Sequence, residues 1–211
     1  MTQSPTSAMT TDFLPAERAS SDQLQAQAQI SARYVYVDDV LSAVPDLVMV
    51  LNAQRQMVYA NQALLGFAGF DGLEDAIGLR PGEILGCVHA LEREGGCGTT
   101  VFCRYCGAAQ AIQASMNGDR AVQECHVNRA SEEHTPGLDL RVWTKPLTIE
   151  GESFTVVTLT DISDEVRRRE LESVFFHDLL NTAGIIRATS DLLMDVCSSE
   201  DEDPAAKVAQ G

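Results

Sequence analysis

The sequence predicts an α+β domain built on a five-stranded antiparallel sheet with short helices, flanked by an N-terminal helix and a C-terminal coiled-coil helix. Three observations predict this class. Two short β-rich runs lie close together, three more follow a region of broken helices, and a long stretch without proline then carries apolar residues at helical spacing. A chain of 211 residues has room for one main domain and its flanking helices.

The charge and hydropathy of the sequence argue against two classes of binding partner. A formal charge of −16, from 31 acidic and 15 basic residues, argues against nucleic acid, because attraction to phosphates needs a concentrated positive surface. No apolar run approaches the roughly 20 residues that cross a bilayer, and the N-terminus lacks a basic leader followed by an apolar stretch. We therefore expect a cytoplasmic protein that binds neither nucleic acid nor membranes.

The N-terminal part divides into a leader and a helix. Residues 1–21 are rich in Ser, Thr, Pro and Ala without hydrophobic periodicity, which is typical of a disordered leader. Good helix formers with regularly spaced apolar residues predict an N-terminal helix over 22–36, and Pro45 ends the helical pattern. We expect that this helix can pair with its copy in a second chain.

The strands follow in two groups. Two β-rich runs separated by the polar turn 52–56 predict a hairpin, and Gly and Pro then break the next stretch into short helices. The runs of the hairpin are 47–51 and 57–60, and the three later strands are predicted over 120–127, 138–147 and 154–159. Together these segments predict one domain over 37–162.

Several of these segments resemble a PAS domain. The first strand ends in Leu-Asn, the second ends in Tyr-Ala-Asn, and the last strand runs into Asp161, Ile162 and Ser163. In PAS domains a junction of this type joins the final strand to a signalling helix. The resemblance covers about residues 37–170 and implies a sensory domain.

A cysteine-rich insertion occupies residues 82–107 of this domain. It carries four of the six cysteines, at Cys87, Cys97, Cys103 and Cys106, with the spacing C-x9-C-x5-C-x2-C. In a reducing compartment such clustering indicates metal or redox chemistry rather than structural disulfides. Four thiolates are a complete set of ligands for one centre, and the closing C-x2-C pair lets two sulfurs converge.

Two kinds of centre suit these four cysteines. Zinc would stabilise the fold of a glycine-rich segment, whereas an iron-sulfur cluster would make the segment responsive to oxygen or redox state. We favour the cluster slightly, because the insertion lies where PAS domains hold their cofactors. Redox-active thiols without metal stay open as an alternative, while haem or flavin would leave the cysteines without a role.

Three further residues are reserve ligands for this centre. They are His89 in the insertion and the neighbours Cys125 and His126 on the third strand. Alternation along a strand places Cys125 and His126 on opposite faces, so only one of the two can point inward.

The C-terminal helix is predicted over 163–197. It lacks proline and starts near a plausible cap at Asp161 or Ser163. Its apolar residues recur at spacings suited to a dimer seam, and the acidic residues 198–211 after it predict a flexible tail. The apolar positions are Val166, Leu171, Val174, Phe175, Leu179, Ala183, Ile186 and Leu193.

The segment Phe-Phe-His-Asp-Leu-Leu-Asn-Thr on this helix resembles the phosphoacceptor box of sensor histidine kinases. The resemblance implies that His177 accepts the phosphoryl group and that Asp178 orients or deprotonates the imidazole. It also implies that Asn181 or Thr182 positions groups for phosphotransfer or dephosphorylation. On a helix, His177 and Asn181 lie one turn apart on the same face. Both could therefore meet an incoming phosphoryl group.

The whole pattern predicts the input module of a two-component signalling protein. We expect a homodimer that senses redox state or oxygen and relays the change to the helix carrying His177. The sequence ends about thirty residues after His177, too few for the ATP-binding domain that such kinases need. Either the sequence is part of a longer kinase or the protein depends on another chain for phosphate, so we expect no autonomous kinase activity and a response regulator or a separate ATP-binding chain as partner. The alternatives are a zinc-stabilised PAS interaction module and a stand-alone histidine phosphotransfer protein.

Overall fold

The structure, a computed structural model, describes residues 10–32, 41–129 and 137–200, with only the backbone described at 31–32 and 195–200. In chain order its elements are α1 (Ser21–Ala32), β1 (Leu47–Leu51), β2 (Met57–Ala60), α2 (Gln62–Ala68), α3 (Leu73–Ala76), α4 (Pro81–Ile84), α5 (Val88–Leu91), a 3₁₀ helix (Val101–Arg104), α6 (Gly107–Met116), β3 (Ala121–Val127), β4 (Leu138–Ile149), β5 (Glu152–Asp161) and α7 (Ser163–Glu200).

A five-stranded antiparallel sheet with the strand order β2-β1-β5-β4-β3 organises the domain. The predicted fold class is confirmed. Met49 pairs with Val157, and Val142 pairs with Leu159, so apolar side chains of adjacent strands meet on one face. Burying each such side chain contributes roughly 1.5–3 kcal/mol.

The two faces of the sheet are covered differently. The face carrying Met49 and Leu140 packs against apolar residues of α2 and α6, and these form the main core. On the opposite face, Leu24 of α1 packs against the cluster containing Val58 and Phe154. The N-terminal helix, predicted over 22–36, begins at Ser21, and residues 33–36 of that prediction lie outside the described part of the chain.

The predicted hairpin is confirmed, with its turn at 52–56. The Asn52 side chain closes this turn, because its Oδ1 accepts hydrogen bonds of 2.9 Å from the amides of Gln54 and Gln56. Arg55 between them has φ of 63°, a left-handed conformation that few residues other than glycine adopt. The turn thereby directs the Arg55 side chain towards the cysteine-rich insertion, which it helps to line.

The leader differs from the prediction of disorder where it is described. Leu14 and Ala16 are only 3% exposed, and the Leu14 amide donates to the carbonyl of Gly98 over 2.9 Å. Buried Arg80 donates to the carbonyls of Ala16 and Glu17. The composition of the segment could not show this, since its order depends on arginines distant in sequence. Residues 1–9 lie outside the described range.

The chain divides into two compact units with a boundary between Ser163 and Asp164. The helix predicted over 163–197 is α7, which extends to Glu200, so the first residues of the predicted flexible tail are helical. The rest of that tail, from residue 201, lies outside the described range. None of the described helices is long and apolar enough to cross a membrane.

Candidate cysteine site

The insertion folds around a cavity of about 210 Å³ between the α4 to α6 region and strand β3. All seven candidate ligands line this cavity. They are Cys87, Cys97, Cys103, Cys106, Cys125, His89 and His126. The structure therefore brings together both the four cysteines predicted as ligands and the three reserve residues.

Each cysteine of the insertion lies where the backbone changes direction. Cys87 immediately precedes α5, Cys103 lies in the 3₁₀ helix, and Cys106 immediately precedes α6. Cys97 is flanked by Gly96 and Gly98, whose φ values of 73° and 95° favour glycine. Short helices and glycines thus bring cysteines far apart in sequence around one cavity.

Two glycines permit the close approach of the backbones that carry the thiols. A Cβ atom added at Gly82 would lie 2.8 Å from the Cys97 sulfur. A Cβ added at Gly107 would lie 2.1 Å from the carbonyl oxygen of Glu124 on β3. Because Gly107 has no side chain, the start of α6 packs directly on β3 and brings Cys106 beside Cys125.

Two of the reserve residues, Cys125 and His126, lie on β3, and their side chains point to opposite faces of the strand as predicted. Cys125 is buried, whereas His126 is exposed and contacts the rim of the cavity. The Cys125 sulfur lies 3.4 Å from the Cys106 sulfur. His126 Nδ1 lies 2.7 Å from Oδ1 of Asp139 on β4, which holds the imidazole in place.

The thiols differ in acidity. Donation by the Cys125 thiol, supported by the amides of Ala109 and Ala108, lowers the pKa of Cys106 to about 6. The same hydrogen bond, together with burial, raises the pKa of Cys125. Burial raises the pKa of Cys97 to about 12, and it also raises the pKa of Cys87. Cys106 therefore ionises more readily than Cys87, Cys97 or Cys125.

Two buried arginines border this region, and sequence reasoning missed both. Arg80 is fully buried and donates to the carbonyls of Gln54 and Gly95, while Arg55 is 3% exposed and lines the cavity. From the sequence alone an arginine is expected at the surface, since most arginine side chains are exposed. The sequence does not reveal the left-handed turn that buries Arg55, because such a turn is usually recognised by a glycine and this one has an arginine.

The described residues contain no group of three or more His, Cys, Asp or Glu side chains arranged to hold a single metal ion. The five thiols are distributed around the cavity wall. His89 packs its ring on Phe102 with centroids 4.2 Å apart, and its Nδ1 lies 2.5 Å from Glu92 Oε1. Both candidate imidazoles thus have one nitrogen beside a carboxylate.

The four residues of the phosphoacceptor-like box lie on α7. His177 Nδ1 lies 3.4 Å from Asp178 Oδ1 and 3.2 Å from Asn181 Nδ2. The Thr182 hydroxyl donates to the backbone carbonyl of Asp178 over 2.8 Å, so it is held along the helix. The His177 side chain is 72% exposed, so its ring is accessible to solvent.

Large apolar side chains on this helix are exposed. They include Leu171, Val174, Phe175, Leu179, Ile186 and Leu193, all members of the apolar set predicted to form a dimer seam. Exposed side chains of this size at regular spacing are typical of a helix that packs against another helix.

The junction before α7 is fixed by hydrogen bonds to strand β4. The Ile162 amide donates to the Asp139 carbonyl over 2.8 Å, and the Asp139 amide donates to Ser163 Oγ over 3.1 Å. The Ser163 hydroxyl donates to Asp161 Oδ1 over 2.6 Å, and Ile162 is buried. Asp139 therefore contacts both the junction, through its backbone, and His126, through its carboxylate.

Among solved structures the chain is similar to PAS domains. The PAS domain of BvgS from Bordetella pertussis is 17% identical, covering 72% of this chain and 98% of that one, with a TM-score of 0.45. The PAS domain of an HTR-like protein from Haloarcula marismortui is 16% identical, covering 65% and 98%, with a TM-score of 0.41. A PAS domain from a two-component sensor histidine kinase is 8% identical, covering 62% and 97%, with a TM-score of 0.42.

No family model matches the sequence, and no curated protein matches it. What the chain does has to follow from its own residues.

Proposed function

We propose that the chain is the sensory input module of a two-component signalling protein, in which an iron-sulfur cluster held by Cys87, Cys97, Cys103 and Cys106 responds to redox state or oxygen. The observation that carries this proposal is the convergence of these four cysteines, from separate turns and helices, on one cavity. Reduced thiols gathered around a cavity are a ready set of ligands for a cluster.

The distribution of the thiols supports a cluster more than zinc. A structural zinc ion needs four donors about 2.3 Å from a single point. Within the described ranges no such group is formed, and the sulfurs line a cavity instead. A cluster spans several atoms and takes its thiolates from a wider circle, so a cavity lined by the four cysteines could hold one.

The walls of the cavity also suit a cluster. A cluster would supply a one-electron change, and the chain would hold it in a setting that determines how easily that change occurs. The amide of Gly82 interacts favourably with the Cys97 sulfur, and the amides of Ala108 and Ala109 do so with Cys106. Amides near thiolates raise metal affinity and tune reduction potential.

Contacts connect the cavity with Ile162 and Ser163 at the end of the sheet. His126 lines the cavity and contacts the Asp139 carboxylate, and the Asp139 backbone binds Ile162 and Ser163. A movement of β3 at the cavity would alter the hydrogen bonds that fix the start of α7. We propose that this path carries the sensory change to the helix.

The helix itself supports a dimeric output. Its exposed apolar residues, such as Val174 and Leu179, would be buried against α7 of a second copy. His177 would then be presented near the seam, where a separate ATP-binding chain or a response regulator could reach it. A neutral imidazole is a competent nucleophile at Nε2 once its Nδ1–H donates to an acceptor, and Asp178 Oδ1 lies 3.4 Å from Nδ1. The Asn181 amide nitrogen is a donor, so its role would be to position the phosphoryl group.

The proposal is tested by anaerobic purification followed by iron, sulfide and zinc analysis. We expect iron and acid-labile sulfide in similar amounts, and their loss in Cys97→Ser. Cys197→Ser is the matched control, because Cys197 belongs to the other compact unit and should leave the cluster content unchanged. A metal-free protein that still responds to oxidants would overturn the proposal, and stoichiometric zinc without sulfide would support the zinc-stabilised interaction module.

The arrangement around His177 favours a second function, a stand-alone phosphotransfer protein. The Asn181 amide nitrogen lies 3.2 Å from His177 Nδ1, as a group that positions a phosphoryl donor would. Incubation with a phosphorylated response regulator or a separate kinase should label the wild type and leave His177→Ala unlabelled. Equal labelling of both proteins would exclude His177 as the acceptor.

A further inference from the structure

A buried arginine lies beside the thiols. Arg55 occupies the left-handed position of the β1–β2 turn, is 3% exposed and lines the cysteine cavity. A charged side chain so deeply buried is costly unless its charge and its N–H groups have partners. The partners of Arg55 therefore indicate what the site is built to hold.

The hydrogen bonds of Arg55 are incomplete. One of its terminal nitrogens donates to the carbonyl of Pro15 in the leader over 2.5 Å. Its Nε is buried without a hydrogen-bond partner in the part of the chain that the structure describes. A Cβ atom added at Gly98 would lie 3.2 Å from this nitrogen, so the guanidinium packs against the loop that carries Cys97.

Among charged or ionisable neighbours, the thiols of Cys97 and Cys103 affect Arg55 most strongly, ahead of Arg18 and Glu17. Burial lowers the pKa of Arg55, and negative charge on Cys97 or Cys103 would raise it again. The positive charge of the guanidinium is therefore directed at the side of the cavity that these two cysteines form. It would be compensated if their sulfurs belonged to an anionic centre.

We propose that Arg55 is a positioning residue that makes the cluster easier to reduce, by placing a positive charge and a free N–H beside the sulfurs of Cys97 and Cys103. This inference rests on the proposed function. Four thiolates give an iron-sulfur cluster a net negative charge, and an added electron makes that charge larger. A fixed cation beside the cluster stabilises the reduced state more than the oxidised one.

The redox step is a simple electron transfer. One electron passes from an external one-electron donor to the cluster, and no bond to Arg55 forms or breaks. The arginine remains protonated in both states, since a guanidinium keeps its proton at neutral pH. Its contribution is the position of its charge.

A purely structural role is the competing explanation, because Arg55 also holds the leader through Pro15. Arg93 provides a matched control. It pairs with Asp12 over 2.6 Å and donates to the Thr10 carbonyl, so it too holds the leader, and it is not among the residues that line the cavity. Arg93→Met should loosen the leader without removing charge from the site.

The test is an anaerobic redox titration of the purified full chain with dithionite, followed by electron paramagnetic resonance. We expect the midpoint potential to become more negative in Arg55→Met and Arg55→Gln, to shift less in Arg55→Lys, and to stay at the wild-type value in Arg93→Met. Iron and sulfide content is measured on the same samples, so the potential is compared only between equally loaded proteins.

The outcomes separate this inference from the proposed function. A wild type without iron and sulfide contradicts the proposed function itself. A loaded Arg55→Met or Arg55→Gln with an unchanged potential overturns only the role of Arg55. If both neutral variants fail to hold the cluster while Arg55→Lys holds it, the potential of Arg55→Lys decides: a value more negative than the wild type supports the inference and an unchanged value overturns it. Failure of all three variants assigns Arg55 to folding and overturns the inference.

Discussion

The sulfur of Cys106 lies 3.4 Å from the sulfur of Cys125, although the two residues are 19 positions apart in the chain. The contact joins the start of α6 to the third strand, and it makes the two thiols chemically unequal. Either sulfur could donate the hydrogen bond between them, but an ionised Cys106 can only accept. Donation by Cys125 therefore stabilises the Cys106 thiolate and lowers the pKa of Cys106 to about 6.

The low pKa of Cys106 predicts the order in which the thiols of the metal-free protein react with an alkylating reagent. Below pH 6 Cys106 is mostly protonated, and above it Cys106 is mostly thiolate, whereas an ordinary thiol is only a few per cent ionised at pH 7. Iodoacetamide at pH 7 should therefore label Cys106 before Cys87 and Cys97, as mapped by mass spectrometry of peptides. The labelling rate at Cys106 should fall as the pH drops from 7 to 5. Equal rates at the three cysteines would show that the hydrogen bond from Cys125 does not form.

Replacing Cys125 tests whether this cysteine is itself a ligand or only lies beside the ligand Cys106. If Cys87, Cys97, Cys103 and Cys106 are the four ligands, Cys125→Ser should keep iron and sulfide near the wild-type ratio, whereas Cys106→Ser should lose most of both. In metal-free Cys125→Ala, which removes the donor that a serine hydroxyl could replace, the Cys106 thiol should become harder to alkylate at pH 7. The opposite pattern, with iron lost from Cys125→Ser and kept in Cys106→Ser, would exchange the roles of the two cysteines.

The contact between His126 and Asp139 predicts that the sensory change can be uncoupled from the cluster. In Asp139→Ala we expect the wild-type content of iron and sulfide, but a reduced difference in hydrogen exchange between the oxidised and reduced protein over residues 163–175. Glu124→Ala is the matched control, because Glu124 pairs with Arg141 across the same two strands at 3.1 Å. A redox-dependent difference that survives in Asp139→Ala would rule out this path.

Alanine substitutions at two glycines are expected to change the stability of the domain in opposite directions. Gly107→Ala would place a Cβ 2.1 Å from the Glu124 carbonyl oxygen, so we expect the free energy of unfolding to fall by about 1–3 kcal/mol. Gly66 lies in α2 with open space around it, and Gly66→Ala should raise the free energy of unfolding by about 0.5–1 kcal/mol. Urea unfolding of both variants measures these changes. A stable Gly107→Ala would mean that α6 does not pack directly on β3.

Local patterns were sufficient to predict most of the sheet. The hairpin at 47–60 and the positions of the later strands follow from β-rich runs and turn residues, which act over a few positions. The packing of Leu14 could not be predicted in this way, because it depends on the distant Gly98 and on arginines of other segments.

Of the candidate site, the sequence indicated the cysteines but not how the fold brings them together. The spacing of Cys87, Cys97, Cys103 and Cys106 indicated a shared centre, and the structure places all four around one cavity. The contact of Cys125 with Cys106 requires that α6 pack on β3, which a local pattern does not reveal. The burial of Arg55 depends on a left-handed turn that the sequence does not mark with glycine.

The most direct test of the account is iron X-ray absorption spectroscopy of protein purified without oxygen. If the four cysteines hold an iron-sulfur cluster, each iron should have sulfur neighbours and a second iron a short distance beyond them, and both signals should be lost in Cys97→Ser. Iron bound only by oxygen and nitrogen, or no iron at all, would contradict the account.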